Sequence, residues 1–283
     1  MEIGVSSLPP LPVDLSDRNR TSPFAFTGNK FEFRAVGSSQ SIAPVNIALN
    51  AAVACALDDI ATQLEAAVSA GTPLNQALQE FLPREFKEHS PVVFNGNGYS
   101  NTWPKEAERR GLPNLSNTVD ALEHYSDPDV MNVFLRHGIL SEREILSRQE
   151  ILLDTYAKDI EIEGATLLDL VRGKVLPPCR AAQAQACDLV LKTKKAGIEP
   201  DEEMKNLQTI RGHVTSMEKA VGQLEEAIAK VKGIEGTLER AKGARDQILP
   251  LMGKIREDSD ALEAIVDDKL WELPKYSELL WVH

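Results

Sequence analysis

The sequence has few of the residues that build metal centres and disulfide frameworks. Its 283 residues include three cysteines and five histidines. An odd number of cysteines at unrelated spacings excludes a disulfide framework and indicates reduced thiols, and no two histidines lie at a ligand spacing. We therefore assign no catalytic or metal-binding role to the histidines. We expect Cys55, Cys179 and Cys187 to be small apolar side chains buried in alanine-rich segments.

Positive charge and long apolar runs are also scarce. There are 31 Lys and Arg residues against 43 Asp and Glu, a formal net charge of -12. Without a basic stripe or an aromatic-basic module, we expect no nucleic-acid partner. The longest apolar stretch, IALNAAVACAL, is interrupted by Asn50 and followed by Asp58 and Asp59. With no basic-then-apolar leader either, the sequence predicts a cytoplasmic protein with no membrane partner.

The most informative segment that is present is DRNRTSPFAFTGNKFEFR, residues 17–34. Its last five residues alternate, so Lys30, Glu32 and Arg34 fall on one face of a strand and two phenylalanines on the other. Such alternation is common in a surface strand with a charge ladder. It also fits a strand whose one face packs on a core while the other face lines a cleft that binds anions. Arginine forks suit carboxylate or phosphate contacts, and a glutamate among cations suits a divalent metal.

The segment and the AVGSSQSIAPVNIALNAAVA that follows it resemble the C-terminal part of the catalytic domain of glutamine synthetase, in the long bacterial type III form. VVFNGNGYSNTW, EAERRGLPN, LSEREILSRQEILLDTYAKDI and LWELPKYSELLW resemble the C-terminal extension of that type. The resemblance implies a ligase that makes glutamine from glutamate, ammonia and ATP through a γ-glutamyl phosphate. It also implies ATP and Mg²⁺ or Mn²⁺ as cofactors, and a homo-oligomer of stacked hexameric rings.

The resemblance assigns roles to four residues. Glu32 matches a metal-ligating glutamate on a barrel strand. Arg34 matches the arginine that binds substrate glutamate, and Arg20 matches the catalytic arginine near the transferring phosphoryl group. Lys30 matches a cationic position near the nucleotide phosphates. Ala25 stands where the commoner bacterial form has a second arginine, a difference that marks the type III subtype.

The parts of the family that would precede the motif are not found in this sequence. Neither an N-terminal β-grasp domain nor the earlier barrel strands with their metal ligands fit into the residues before it. A Mg²⁺ or Mn²⁺ ion needs about six oxygen-rich ligands, so one carboxylate does not make a site. We therefore expect a C-terminal fragment of the enzyme that is inactive alone.

Helical periodicity dominates the rest of the chain. It predicts a helix over about residues 45–70, a shorter one through Leu82, and almost continuous helix from Trp103. The NGNG run lacks a Gly-Lys-Ser/Thr end and is predicted to be a turn rather than a phosphate loop. Ser141 with Glu144 forms a capping box that opens a helix to about residue 170, and a break is predicted at 177–178.

A heptad seam follows from about residue 202, with apolar residues spaced alternately three and four apart. Two interpretations remain open: an oligomerisation coiled coil, or an antiparallel helical hairpin packed within one chain. The residues of the seam are Leu207, Ile210, Val214, Met217, Val221, Leu224, Ile228 and Val231.

The predicted fold is mainly α. Residues 1–82 are predicted to be a remnant of the glutamine synthetase catalytic α/β domain, with one or two strands plus a helix. Residues 83–283 are predicted to be a helical-bundle C-terminal extension, with a long antiparallel hairpin over about 200–267 and a docking tail over 268–283. The alternative function is a non-catalytic helical interaction or oligomerisation protein.

Overall fold

The structure is a computed structural model that describes residues 24–26, 31–33, 40–94, 97–98 and 100–279, with backbone alone for 24–26, 31–33, 276 and 277. Two compact units make up the chain. Unit 1 runs to residue 117 and includes 124–145, and unit 2 consists of 118–123 and the residues from 146 onward. These units are defined by how their residues pack. The predicted boundary between residues 82 and 83 separates the catalytic-domain remnant from the C-terminal extension by family resemblance, and it stays a prediction.

The described chain is mainly α-helical, as predicted. Two short strands, β1 (Phe24–Phe26) and β2 (Phe31–Phe33), pair antiparallel with Ala25 opposite Glu32. The helices are α1 (Ala43–Ser69), α2 (Leu74–Glu88), α3 (Thr102–Arg109), α4 (Thr118–Glu123), α5 (Pro128–Leu135), α6 (Glu142–Leu170), α7 (Leu176–Lys195), α8 (Asp201–Lys232), α9 (Thr237–Gly243), α10 (Leu249–Glu263) and α11 (Tyr276–Leu279).

Unit 1 is built on α1, whose bounds lie within two residues of the prediction. Pro44 lies in its first turn, where the missing N–H costs no helical hydrogen bond. Gly71 follows the helix with φ of 95°, a conformation that favours glycine. The helix packs against α2 and α5. A small core forms around Ala51, Phe134 and Ile145.

Most of the apolar surface of α1 is left uncovered. Ala51 is its one buried residue, and large apolar side chains along the helix are exposed. Among the described helices, α1 alone is long and apolar enough to cross a membrane. The sequence predicts no such segment, because Asn50 interrupts the apolar stretch and two aspartates follow it. Length and composition are weak evidence for a membrane span, since an apolar helix that packs on another protein surface meets the same criteria.

The predicted break at Pro177 and Pro178 is wrong. Helices α6 and α7 join into one run through a π-helical turn, Val171–Val175, and both prolines lie in the first turn of α7. A proline ring clashes with the carbonyl four residues earlier in a regular α-helix, and a wider turn moves that carbonyl away. The same arrangement recurs between α9 and α10, where the π-turn Ala244–Ile248 precedes Pro250.

The heptad seam lies inside unit 2. Helix α8 packs against α7 and α10, and the cluster of residues that they share is the main hydrophobic core. Seven of the eight predicted seam residues are buried there, and Leu207 is partly buried against them. A seam covered by its own chain cannot also pair with another copy, so the structure favours packing within one chain over an oligomerisation coiled coil. The buried residues are Ile210, Val214, Met217, Val221, Leu224, Ile228 and Val231.

Helices α6 and α8 approach closely at Gly164. A Cβ atom there would lie 3.0 Å from Ile228 Cδ1 and 3.2 Å from Ile248 Cγ2. We predict that Gly164→Leu destabilises unit 2 by about 1–3 kcal/mol, because both contacts belong to a filled core. Urea unfolding followed by circular dichroism measures the change. Gly222→Leu is the matched control, since a Cβ there meets nothing within 4 Å. It should leave stability unchanged or raise it; equal losses in both variants would contradict the close packing at Gly164.

Candidate functional site

The predicted site residues fall almost entirely outside the described part of the chain. Arg20, Lys30 and Arg34 lie outside the described residues. Glu32 lies in β2 with its backbone opposite Ala25, and its side chain is not described. In the described ranges, no three His, Cys, Asp or Glu side chains group as metal ligands. One carboxylate does not satisfy a Mg²⁺ or Mn²⁺ ion, so the described residues alone do not fit the metal that the resemblance implies.

A charged cluster that the sequence analysis did not predict links α8 to α10. Asp258 is 2% exposed, and its Oδ1 lies 2.9 Å from Nδ1 of His213 and 3.5 Å from Nζ of Lys254. Burial raises the pKa of Asp258, but hydrogen bonds from His213 and Ser216 and the charge of Lys254 outweigh it and hold the pKa below its ordinary value. The side chains lie 45 residues apart in the chain, and no local pattern signals their contact.

A second buried ion pair joins α9 to α6. Arg240 donates from Nε to Oε1 of Glu161 and from Nη2 to Oε2, both at 2.8 Å. The Glu161 side chain is 5% exposed and that of Arg240 is 22% exposed. The hydrogen bonds that Arg240 donates to Glu161 raise the pKa of Arg240 above its ordinary value. Glu161 is paired through both carboxylate oxygens, whereas Asp258 is paired through Oδ1 and its buried Oδ2 has no hydrogen-bond partner among the described residues. Both clusters join helices of the bundle, and we assign them to its architecture.

The segment around the NGNG run is anchored by Arg110. Its Nη1 donates to the carbonyl oxygens of Pro91 at 3.0 Å and Val93 at 2.8 Å. The guanidinium also lies 5.4 Å from the ring centroid of Trp103, which stacks on Phe94 with centroids 4.2 Å apart. Arg110 thus contacts residues that precede the run and Trp103, which follows it. The run lies partly outside the described residues, so the predicted turn stays a prediction.

Glu106 completes the anchor. It accepts hydrogen bonds from Nε of Arg110 and from Nε of Arg109, each at 2.7 Å. These bonds, Arg109 first, lower the pKa of Glu106 to about 2. The carboxylate therefore stays ionised at any pH near neutrality and keeps Arg110 oriented toward the carbonyl oxygens of Pro91 and Val93.

The three cysteines differ in environment. Cys179 is fully buried, and desolvation raises the pKa of its thiol to about 11. Cys55 is partly buried, with its Sγ 3.4 Å from the carbonyl oxygen of Val133. Cys187 is exposed, so the prediction that it is buried is wrong. Alanine-rich sequence surrounds both Cys179 and Cys187, and composition does not reveal which face of α7 meets the core.

We predict that a charged disulfide reagent modifies Cys187 rapidly at mildly alkaline pH and leaves Cys179 unmodified. The reactive species is the thiolate, which burial suppresses at Cys179, and the reagent can reach the exposed Sγ of Cys187 but not the buried Sγ of Cys179. Mass spectrometry of the native chain, with a denatured sample as the control, measures the sites. Modification of Cys179 as fast as Cys187 in the native chain would contradict its burial in the core.

Comparison with known proteins identifies the class to which this helical chain is related. Residues 77–194 match the glutamine synthetase C-terminal domain. The chain is 40% identical over 291 aligned residues to the type-3 glutamine synthetase of Dictyostelium discoideum, and that alignment covers 100% of this chain and 39% of the relative. It is 33% identical over 287 aligned residues to a glutamine synthetase of Bacteroides fragilis (strain YCH46), with 99% of this chain and 39% of the relative covered.

A third relative, a glutamine synthetase of Butyrivibrio fibrisolvens, is 36% identical over 95% of this chain and 38% of its own length. The predicted resemblance is therefore confirmed. This chain carries the C-terminal domain of the glutamine synthetase family and corresponds to a C-terminal portion of its type 3 members. It spans about 39% of the length of the two relatives described first.

Proposed function

We propose that this chain is part of an ATP-dependent glutamate–ammonia ligase and supplies one side of an active site that other sequence completes. The observation that carries the proposal is the similarity along the whole chain to proteins named glutamine synthetases, together with the motif of residues 17–34. A match to 39% of a relative leaves the other elements of its site outside this chain.

The proposed roles follow the motif. Glu32 would be one of the ligands of a Mg²⁺ or Mn²⁺ ion, and the ion would supply charge stabilisation at the phosphate of ATP. Arg34 binds the carboxylate of glutamate through its planar fork. Arg20 offsets negative charge that develops on the transferring phosphoryl group, and Lys30 contacts the nucleotide phosphates. The substrates of the complete enzyme are glutamate, ammonia and ATP.

The proposed architecture assigns residues 1–82 to the end of the catalytic domain and residues 83–283 to the helical extension. Helices α8 and α10 pack together across the short connection after Gly233, which supports an antiparallel hairpin over about 200–267. The exposed apolar face of α1 supports its packing against the rest of a catalytic domain. We further propose a cytoplasmic homo-oligomer of stacked hexameric rings.

A chimera tests this function. This chain would replace the matching 39% of the Dictyostelium discoideum type-3 glutamine synthetase, and glutamine formation would be measured with glutamate, ammonia and ATP. We expect activity above that of the truncated relative without any replacement. The unmodified relative is the positive control. A soluble, correctly assembled chimera with no activity would reject the proposal that this chain completes the site.

A further inference from the structure

Unit 2 contains an apolar groove that no described side chain fills. Its volume is about 850 Å³, and we call it the α6–α10 groove after the helices that form its walls. Ile162 and Leu170 line it from α6, Met252 lines it from α10, and Trp271 and Leu273 line it from the segment after α10. Sites for small organic molecules are typically mostly apolar and have volumes of roughly 300–1,000 Å³. The size and the lining of the groove therefore favour a small, largely apolar ligand.

The apolar walls of the groove are accessible to such a ligand. Ile162 is 64% exposed and Leu170 is 43% exposed. Covering apolar surface stabilises a complex roughly in proportion to the area removed from water. Met252 adds a thioether to the wall, and sulfur makes favourable contacts with aromatic rings. We therefore expect the apolar part of the ligand to be an aromatic ring system.

Trp271 indicates a polar group that the ligand carries. The residue is 7% exposed and lines the groove. Its indole N–H has no hydrogen-bond partner among the residues that the structure describes. An indole N–H can only donate, and a buried one usually finds an acceptor. A ligand that places an oxygen atom beside this N–H satisfies it.

The charged side chains of the groove indicate the charge of the ligand. Carboxylates of Glu163, Asp260 and Glu263 line the groove, and the guanidinium of Arg256 lines it too. Arg256 lies 3.4 Å from Asp260, and no ion pair in the described part of the chain involves Glu163 or Glu263. The groove thus has an excess of negative charge near neutral pH. Such a site favours a cationic ligand over an anionic one.

We propose that the α6–α10 groove binds a small aromatic amine that carries a hydrogen-bond acceptor. The ring system packs against the apolar walls, and the acceptor receives the hydrogen bond of the Trp271 indole. The protonated amine lies beside the carboxylates of Glu163 and Glu263. The ligand stabilises unit 2, because it binds the folded chain alone. This inference does not depend on the proposed enzymatic function.

Three fluorescent probes that share a dansyl group test the proposal. The dansyl group supplies a naphthalene ring and sulfonyl oxygen acceptors. Dansylcadaverine adds a protonated amine, dansylamide adds no charge, and dansylglycine adds a carboxylate. Titration of the 283-residue chain, followed by dansyl emission, gives a Kd for each probe. We expect dansylcadaverine to bind about tenfold more tightly than dansylglycine at low salt, and the difference to shrink at high salt.

The double variant Glu163→Gln with Glu263→Gln tests the choice of charge. It should bind the three probes with nearly equal Kd values, because the preference for the cation depends on these two carboxylates. Glu150→Gln is the matched control. Glu150 is exposed on the same helix as Glu163 and does not line the groove, so this variant should keep the preference of the native chain.

Two further variants test the wall and the donor. Ile162→Ser should weaken the binding of all three probes by about threefold to tenfold, because it removes apolar surface. Ile151→Ser is its matched control, since Ile151 is 60% exposed on the same helix and does not line the groove. Trp271→Phe keeps an aromatic ring and removes the N–H, and it should also weaken all three probes by about threefold to tenfold. Circular dichroism verifies that each variant is folded.

Several results would overturn the proposal. One is no binding of dansylcadaverine to the folded chain, and another is a Kd for dansylglycine equal to or below that for dansylcadaverine. Equal effects of Ile162→Ser and Ile151→Ser, or an unchanged Kd in folded Trp271→Phe, would also contradict it. Sedimentation velocity completes the test. A dimer that excludes the probes and that Ile162→Ser dissociates would show a second copy in the groove and would reject the small ligand.

Discussion

Replacing Arg240 with alanine is expected to destabilise unit 2 by about 3–5 kcal/mol. The substitution leaves the carboxylate of Glu161 buried, with 4% of the residue exposed, and without its bidentate partner. The charge must then be solvated by local opening or neutralised by a proton, and both routes favour the unfolded state. Urea unfolding followed by helical circular dichroism measures the loss.

Arg172→Ala is the matched control for this prediction. Arg172 also makes a bidentate pair, with Glu225, but their side chains are 45% and 60% exposed. An exposed pair is screened by water, so we expect no measurable change in unfolding. The double variant Arg240→Met with Glu161→Leu should recover much of the lost stability, because it removes both charges. Equal stability of Arg240→Ala and wild type would contradict the burial of the pair.

Replacing Glu32 with alanine in the chimera is expected to lower glutamine synthesis by more than about 100-fold. Loss of residues that merely orient metal ligands costs about 10–100-fold in metal affinity or activity, and loss of a ligand itself should cost more. Steady-state assays over a range of Mg²⁺ and Mn²⁺ concentrations measure the effect. Because the lost group is a metal ligand, raising the metal concentration should recover part of the activity.

Glu150→Ala serves as the control for this second prediction. Glu150 is an exposed residue of α6 and is not part of the motif of residues 17–34. Its replacement should leave both the rate and the metal dependence unchanged. Full activity of the Glu32→Ala chimera, or a loss that no metal concentration alters, would reject the assignment of Glu32 as a ligand.

The helical part of the fold was predictable because its signals are local. Periodicity predicted α1 within two residues, and the capping box at Ser141 forms as expected, with the Ser141 N–H donating to Glu144 at 2.8 Å. The seam of α8 is likewise buried where its heptad spacing indicated. The heptad spacing could not tell which helix covers the seam. A helix of the same chain and a helix of another copy need the same apolar pattern.

The failed predictions depended on the environment of a residue in the folded chain. Pro177 and Pro178 normally end a helix, but a π-turn before them keeps the helix continuous. Cys187 lies on the solvent face of α7, although its alanine-rich surroundings resemble those of Cys179. The residues of each buried ion pair are far apart in sequence, so no spacing rule brings them together. The roles of the motif residues came from the family resemblance and remain predictions.

The most direct test of the central claim is to assay the purified 283-residue chain alone for glutamine synthesis, beside the chimera at equal chain concentration. The claim is that this chain supplies one side of an active site and that other sequence supplies the rest. It predicts glutamine formation by the chimera and none above background by the chain alone, at any Mg²⁺ or Mn²⁺ concentration. Synthesis by the chain alone at the rate of the chimera would contradict it.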